Sequence, residues 1–425
     1  HYKDDSLFSN SLKKYFEDKS EYQSKLSTLD AIAKGEAFSF KDEKKARKLF
    51  GENLKLSASQ VEKFYLCKFQ YFCKYGLYAK PKKKASFDNL EYGLVMHYIL
   101  ENMFKKYSKD EFCSLGEAEV KKNINDLLFE YSNKKLGGLD NKNSRFKYLF
   151  FRLINTAARL IAHLQQEFKQ SEFYAAGCEV SVEEGKDIEP LSIKLIDGSI
   201  VKVQGKIDRV DIMNKGGRNY IRVIDYKTGK KEFKLCDVLY GLNMQMLIYL
   251  TAIVKNSSSQ YDNIVPAGIL YMPSSFSAVN MERNSEKEKI DKEHMKIFKM
   301  NGLILDNPLV IRGMEADAKG VFIPVSLKGD TPSKRDSLLS LSQLGKISKH
   351  IEGLIESMAN ELHKGKIEPS PVSGEYDSCK WCEYSSVCGH EKEDKTLKIE
   401  KFDNQQAIKE ILKKEGENID EKLDC

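Results

Sequence analysis

The residues best suited to chemistry lie in two neighbouring stretches, Gly205-Lys206-Ile207-Asp208-Arg209-Val210-Asp211 and Val223-Ile224-Asp225-Tyr226-Lys227-Thr228-Gly229. Strand side chains alternate between faces, so Asp225 and Lys227 share one face, with Ile221 and Val223 behind them. Asp208 and Asp211 are three apart, so only one of them can join Asp225. Carboxylates beside a lysine are what phosphodiester hydrolysis needs. Mg²⁺ takes oxygen ligands, usually one or two protein carboxylates, and keeps positions for water and phosphate. The cation polarises a phosphoryl oxygen and acidifies a water, while a lysine steadies developing charge. The plainer alternative is a surface ladder of ion pairs, worth little energetically.

Three more groups stand out. His97 and Glu101 share a helix face by i, i+4 spacing, although a lone histidine on an apolar helix is more often packed core. Gln245 and Tyr249 share another helix face. Cys379-Lys380-Trp381-Cys382, followed by Cys388, offers three thiolates, one short of a tetrahedral zinc site or a Cys₄ iron–sulfur cluster. Cys67 is the favoured fourth ligand, then Cys73, then His390. A ligand so far upstream would close a loop of more than three hundred residues and couple metal binding to folding. Cys73, Cys113, Cys178, Cys236 and Cys425 read more simply as ordinary thiols, Cys73 being only the second choice as fourth ligand.

The elements that must position these groups can be read in order. His1 to Gly51 is Lys-rich with apolar residues at loosely helical spacing. Ser59-x-x-Glu62 has the form of a capping box and opens a helix that carries Cys67. Further helices are expected from Gly93, over 117–136 and over 146–168. From Cys178 the period shifts towards two, giving strands at 178–182, 191–196, 201–211 and 220–227, with Asn214-Lys215-Gly216-Gly217 as a hairpin turn. A helix over about 237–254 and a strand at 267–271 follow. Glu286 to Met300 reads as a solvated amphipathic helix, and Leu344 to Leu362 as a long core helix. The expected divisions are 1–55, the end of a preceding domain; 56–176, a helical part with the first cluster cysteine; 177–273, the sheet core; 274–336, a charged insertion; 337–390, the long helix and cysteine segment; and 391–425, a charged tail.

With 425 residues the chain has room for two or three domains. A net charge of +6 from 69 basic and 63 acidic side chains permits nucleic-acid binding without arguing for it, because distribution decides. Lys202, Lys206, Arg209, Lys230, Lys231 and Lys234 flank the acidic stretches and could guide a phosphate backbone, or be ordinary solvated side chains. No apolar run is long enough to span a bilayer and no signal-peptide pattern is evident, so a soluble, cytoplasmic bacterial chain is expected. Nine unevenly spaced cysteines favour a metal site over a disulfide framework.

In order, Gly93-x₃-His97, Gly205-x-x-Asp208, Asp225-x-Lys227 and Gln245-x₃-Tyr249 resemble the motifs of RecB-type nucleases of the PD-(D/E)XK superfamily. The segment around Cys67 and the cysteine triplet narrow the resemblance, over about 56–390, to the nuclease domains of AddB-type subunits of bacterial helicase–nucleases. The resemblance implies an α/β fold: a PD-(D/E)XK core of central mixed sheet flanked by helices, with extra N-terminal helices and a C-terminal Fe–S-bound segment. It implies that His97, Asp208 and Asp225 bind Mg²⁺ or Mn²⁺, that Lys227 is catalytic, and that Gln245 and Tyr249 line the site. Glu179 would be an auxiliary acidic residue. Cys67, Cys379, Cys382 and Cys388 would hold a [4Fe-4S] cluster. The implied activity is exonucleolytic cleavage of single-stranded DNA, on the strand ending 5′, as it leaves a helicase in double-strand-break repair, with an AddA-type helicase–nuclease as partner. No Gly-x₄-Gly-Lys-(Ser/Thr) phosphate loop is present, so ATP hydrolysis would lie elsewhere. Two alternatives are a catalytically silent Fe–S DNA-binding or assembly module and a Cas4-like stand-alone nuclease.

Overall fold

The computed structural model describes residues 7–33, 39–40, 42–80, 89–140, 142–229, 233–256, 262–274, 293, 295–391 and 394–414. The chain divides into two compact units, each assembled from stretches far apart in sequence. The larger comprises Lys55–Ser59, Lys83–Ile355 and Glu400–Cys425, and the smaller His1–Leu54, Gln60–Lys82 and Glu356–Ile399. Among the described residues no helix is long and apolar enough to cross a membrane.

The larger unit is α/β, built on a mixed sheet with helices against it. β1 (Leu54–Ser57), β2 (Tyr174–Val182), β3 (Leu191–Lys194), β4 (Ile200–Lys215), β5 (Arg218–Lys227), β6 (Ile264–Pro273) and β7 (Asn301–Leu305) are its main strands. β4 is the hub, pairing with β1, β2, β3 and β5. β4 and β5 form the expected hairpin, closed by Gly216 and Gly217 at φ +58° and +69°. A two-residue turn with both φ values positive matches the right-handed twist of its strands, and glycine adopts it without a steric penalty. β5 then pairs with β6 in parallel, and β6 with β7 antiparallel.

Helices Asn89–Lys106, Glu117–Leu136 and Ser144–Gln170 bury their apolar stripes in one cluster with Met213, Tyr220, Ile224 and Tyr226 of the hairpin. Helix Gln245–Lys255 contacts β3, β4, β5 and β6. The expected helix over about 237–254 is broken into Leu235–Val238 and Gln245–Lys255. Gly241 and Asn243 take left-handed backbone, φ +78° and +57°, and the Asn243 amide donates to Asp237 Oδ2 at 2.7 Å. That local bond offers the backbone an alternative to continuing the helix. Of the expected helix from Glu286 to Met300, residues 286–292 and 294 lie outside the described residues; the rest includes a short helical stretch at 295–297.

In the smaller unit the helix expected to carry Cys67 is interrupted at that residue. Helix Ala58–Leu66 ends, Cys67 is extended at φ −172° and ψ 120°, and Lys68–Tyr71 starts a second short helix. Ser59 is not the cap residue, since it lies within the first turn with its hydroxyl 2.9 Å from that of Ser57. Lys68 Nζ bridges Glu361 at 2.6 Å and Glu368 at 2.8 Å, and the Gln70 amide donates to the Ser378 carbonyl at 2.7 Å. These bonds join residues about three hundred apart in the chain.

The face of the hairpin turned to Ser144–Gln170 carries charge. Arg209, Asp211, Arg222 and Glu167 are all wholly buried. Arg209 Nε lies 2.8 Å from Asp211 Oδ1, Arg222 Nε donates to Asp211 Oδ2 at 2.9 Å, and Arg222 Nη2 donates to Glu167 at 2.6 Å. The guanidiniums also lie over the rings of Phe104, Phe168 and Phe173. Removing one member strands its partners' charge in a low-dielectric core. Asp211→Ala is therefore expected to cost the larger unit about 3–5 kcal/mol, read as a fall in the urea midpoint.

Candidate active site

His97, on helix Asn89–Lys106, reaches the ends of the hairpin strands. Its Nδ1 lies 3.2 Å from Glu179 Oε1 and 3.5 Å from Asp208 Oδ1, and its Nε2 lies 3.4 Å from the Tyr226 carbonyl. His97, Glu179 and Asp208 each offer one ligand atom, and these atoms all lie within 4.8 Å of one another. The three side chains retain 25%, 15% and 14% exposure, enough to stay reachable from solvent. Cys178 pairs with Arg209 and Val180 with Ile207, so Glu179 is level with Asp208 across β2 and β4. The β4–β5 pairing runs to Arg209 opposite Ile224, one step short of Asp208 and Asp225. Three carboxylates thus sit side by side on three neighbouring strands.

Glu179 breaks the strand geometry, with φ +54°. For a residue other than glycine that conformation costs about 1–2 kcal/mol, and strain of this kind gathers at functional sites. Its carboxylate also meets Lys206 Nζ at 2.8 Å. Burial tends to raise the Glu179 pKa, but His97 and Lys206 hold it below the usual value. Burial and the Asp225 carboxylate push Asp208 up to about 7, against the pull of His97 and of the Tyr226 N–H, which donates to Asp208 Oδ2 at 2.8 Å. Burial pulls the His97 ring down, yet the Glu179 hydrogen bond and the Asp208 charge outweigh it and bring the ring to about 9.

Asp225 and Lys227 share a face of β5 as their spacing requires, and Lys227 Nζ lies 2.6 Å from Asp225 Oδ2 and over the Tyr271 ring. Gln245 and Tyr249 come together on helix Gln245–Lys255, where the Tyr249 hydroxyl bonds the Gln245 side chain and the Lys206 backbone. Burial, with Asp225 and Asp208 nearby, pushes that hydroxyl up to about 12. Gly205 makes this approach possible: a Cβ there would stand 1.9 Å from the hydroxyl. The glycine of Gly-x-x-Asp therefore has a steric reason. Gly93 has a weaker one, since a Cβ there would meet Thr228 at an ordinary 3.5 Å.

The flanking cations do not form the expected set. Arg209 is 0% exposed and belongs to the buried network on the opposite face, because strand alternation turns it away from Asp208. Lys206 pairs with Glu179 and Lys202 with Glu184 at 3.0 Å. Lys234 leads into helix Leu235–Val238. Lys230 and Lys231 lie outside the described residues. Glu179 has a larger place in the site than its auxiliary standing in the sequence. No motif marks it, and the available signal is its position on a strand upstream of the hairpin.

In the smaller unit, Cys67, Phe69, Cys73 and Tyr384 form a buried cluster with Phe72, Cys382 and Cys388 packed against it. Burial raises the Cys73 thiol to about 11, reinforced by Cys382, Cys388 and Cys67. Cys379 is raised by burial and by Cys67, Cys382 and Cys388. Cys67, Cys73, Cys382 and Cys388 thus share one cluster with Cys379 nearby, although among the described residues no three of these sulfurs lie within 4.8 Å of one another. His390 turns towards Asp394 at 3.6 Å. Cys113 and Cys236 donate instead to the Gln165 carbonyl and to Asp237, and Cys425 lies outside the described residues.

Both donor sets suit cations. Imidazole with crowded carboxylate oxygens matches hard divalent metals, and the raised Asp208 pKa reflects burial first and then repulsion from Asp225, which a cation would relieve. Clustered thiols match zinc or iron–sulfur centres.

Comparison with known proteins agrees with this geometry. The chain is similar to the B-type subunit of the ATP-dependent helicase/deoxyribonuclease of Clostridium acetobutylicum, 35% identical over 361 residues, which is 81% of this chain and 30% of that protein. It is 32% identical over 395 residues to the protein of the same description from a Thermoanaerobacter species, covering 89% of this chain and 34% of the relative. With that of Clostridium novyi it shares 30% identity over 426 residues, 98% of this chain and 38% of the relative. The chain spans about a third of the length of these relatives. The sequence profile of the PD-(D/E)XK nuclease superfamily matches residues 55–389, which contain the whole β2–β4–β5 arrangement and the cysteine triplet, and the chain belongs to that superfamily.

Proposed function

We propose that this chain is the nuclease portion of an AddB-type protein and hydrolyses phosphodiester bonds of single-stranded DNA, on the strand ending 5′, with Mg²⁺ or Mn²⁺ as cofactor. The observation that carries the reading is the grouping of His97, Glu179 and Asp208 from three elements with ligand atoms within 4.8 Å; Asp225, paired with Lys227, lies outside that group but near enough to raise Asp208. His97, Asp208 and Asp225 would hold the cation, with Glu179 added to that set by its position. When bound, the cation supplies Lewis-acid polarisation of a phosphoryl oxygen and a more acidic water. Lys227, held by Asp225 yet a quarter exposed, offers its ammonium to the anionic oxygen of the phosphate. Tyr249 and Gln245 keep the floor of the site in place beneath Asp208 and Asp225.

The helicase/deoxyribonuclease names of the relatives support DNA as substrate and an AddA-type helicase–nuclease as partner, with ATP hydrolysis outside this chain. Cys67, Cys379, Cys382 and Cys388 would hold a [4Fe-4S] cluster that staples the smaller unit, drawing together segments three hundred residues apart. Cys73 is the competing fourth ligand.

Asp225→Ala and Lys227→Ala are each expected to abolish Mg²⁺-dependent cleavage of single-stranded DNA while circular dichroism stays unchanged. Undiminished cleavage in both variants rules out the assignment of Asp225 and Lys227, whereas a wild type that cleaves nothing leaves a silent binding module. The raised pKa values set a pH dependence for cation binding. Ligation needs Asp208 ionised and His97 neutral, and without metal these sit at about 7 and about 9, so protons compete below those values. Mn²⁺ affinity should rise as pH climbs through 7 towards 9, with proton release visible as a buffer-dependent heat in calorimetry. A flat profile contradicts the ligand set. Cys382→Ser should lose iron and visible absorbance and lower solubility; a colourless, iron-free wild type prepared without oxygen removes the cluster.

A further inference from the structure

Tyr226 stands between Asp225 and Lys227 in sequence but points the other way, into the buried ionic network. Its hydroxyl accepts from Arg209 Nη1 at 2.9 Å, and the Arg209 guanidinium is locked by Asp211 through contacts of 2.8 and 2.9 Å. The backbone of the same residue serves the candidate site. Its N–H donates to Asp208 Oδ2 at 2.8 Å and its carbonyl lies 3.4 Å from His97 Nε2. The His97 ring packs edge-on against the Tyr226 ring, with centroids 5.7 Å apart. One residue therefore couples a rigid core charge to two members of the ligand group.

Stability alone is a poor account of such a network, because well-packed apolar residues of similar volume often hold a core as well as buried ion pairs do. A fixed tyrosine between two site residues has a different consequence: it sets where the peptide carrying the Asp208 and His97 contacts lies. Metal-ligand geometry depends on such outer contacts. We propose that Arg209 and Tyr226 are positioning residues, Arg209 acting through the Tyr226 hydroxyl to hold Asp208 and His97 in cation-binding geometry. The inference rests on the nuclease reading above.

Tyr226→Phe keeps the ring against His97 and deletes only the hydroxyl. In the full chain it should weaken Mn²⁺ binding, measured by calorimetry, about tenfold. At saturating Mn²⁺ it should lower kcat for DNA cleavage with KM unchanged. Phe173→Leu serves as the comparison, since Phe173 lies under Arg222 at the far end of the network, 4.8 Å from its guanidinium. It should lower the melting temperature and leave Mn²⁺ affinity as in the wild type. Wild-type Mn²⁺ affinity in Tyr226→Phe overturns the inference, as does a loss in Phe173→Leu that keeps step with its loss of stability. A wild type that binds Mn²⁺ but cleaves no DNA defeats the nuclease reading alone, and the binding comparison still decides the role of Tyr226.

Discussion

The placing of three carboxylates side by side in a partly buried rim at the end of the β4–β5 hairpin is the constraint on which the candidate site depends. Glu179, Asp208 and Asp225 stand on three adjacent strands in a partly desolvated rim, where like charges interact more strongly than in water. Each is offset by its own cation. Lys206 meets Glu179, Lys227 meets Asp225, and His97 lies between Glu179 and Asp208. Burial and the neighbouring Asp225 nonetheless keep the Asp208 pKa raised to about 7. Crowded carboxylates that keep some exposure are suited to a divalent ion, which is the physical basis of the proposed activity.

The same two strands carry a second charged assembly on their other face. Alternation sends Asp208 and Asp225 one way and Arg209, Asp211, Arg222 and Tyr226 the other. On the rim, His97, Glu179 and Asp208 keep part of their surface exposed. Within the core, Arg209 and Arg222 are closed in by Asp211, Glu167 and aromatic rings, so they are fixed. The sheet thus separates a partly exposed face from a rigid one by the thickness of a single backbone. Tyr226 crosses that boundary, with its side chain in the rigid layer and its peptide groups in the partly exposed one.

The smaller unit solves a different problem. Its pieces come from both ends of the chain, and apolar residues from each, such as Phe64 and Tyr71 upstream and Met358 and Leu362 downstream, are buried in it. Ion pairs from Lys68 to Glu361 and Glu368, and the Gln70 bond to Ser378, tie the pieces together beside the gathered thiols. A shared metal centre would add a cross-link where such a closure restricts the unfolded chain most.

Local geometry was legible in the order of residues. Gly216-Gly217 dictated the hairpin turn, period-two alternation put Asp225 and Lys227 on one face, and helical spacing joined Gln245 to Tyr249, because each of these follows from neighbours within a few residues. Ordered motifs also carried the superfamily. The rest depended on pairing between distant segments. Glu179 entered the site only through the β2–β4 register and a left-handed backbone, and Arg209 left the expected phosphate-guiding set once the Ser144–Gln170 helix covered its face. The break at Asn243, by contrast, is local, set by left-handed Gly241 and Asn243 and the bond to Asp237. Burial and register are set by contacts across the fold, and the succession of residues along the chain does not contain them in local form.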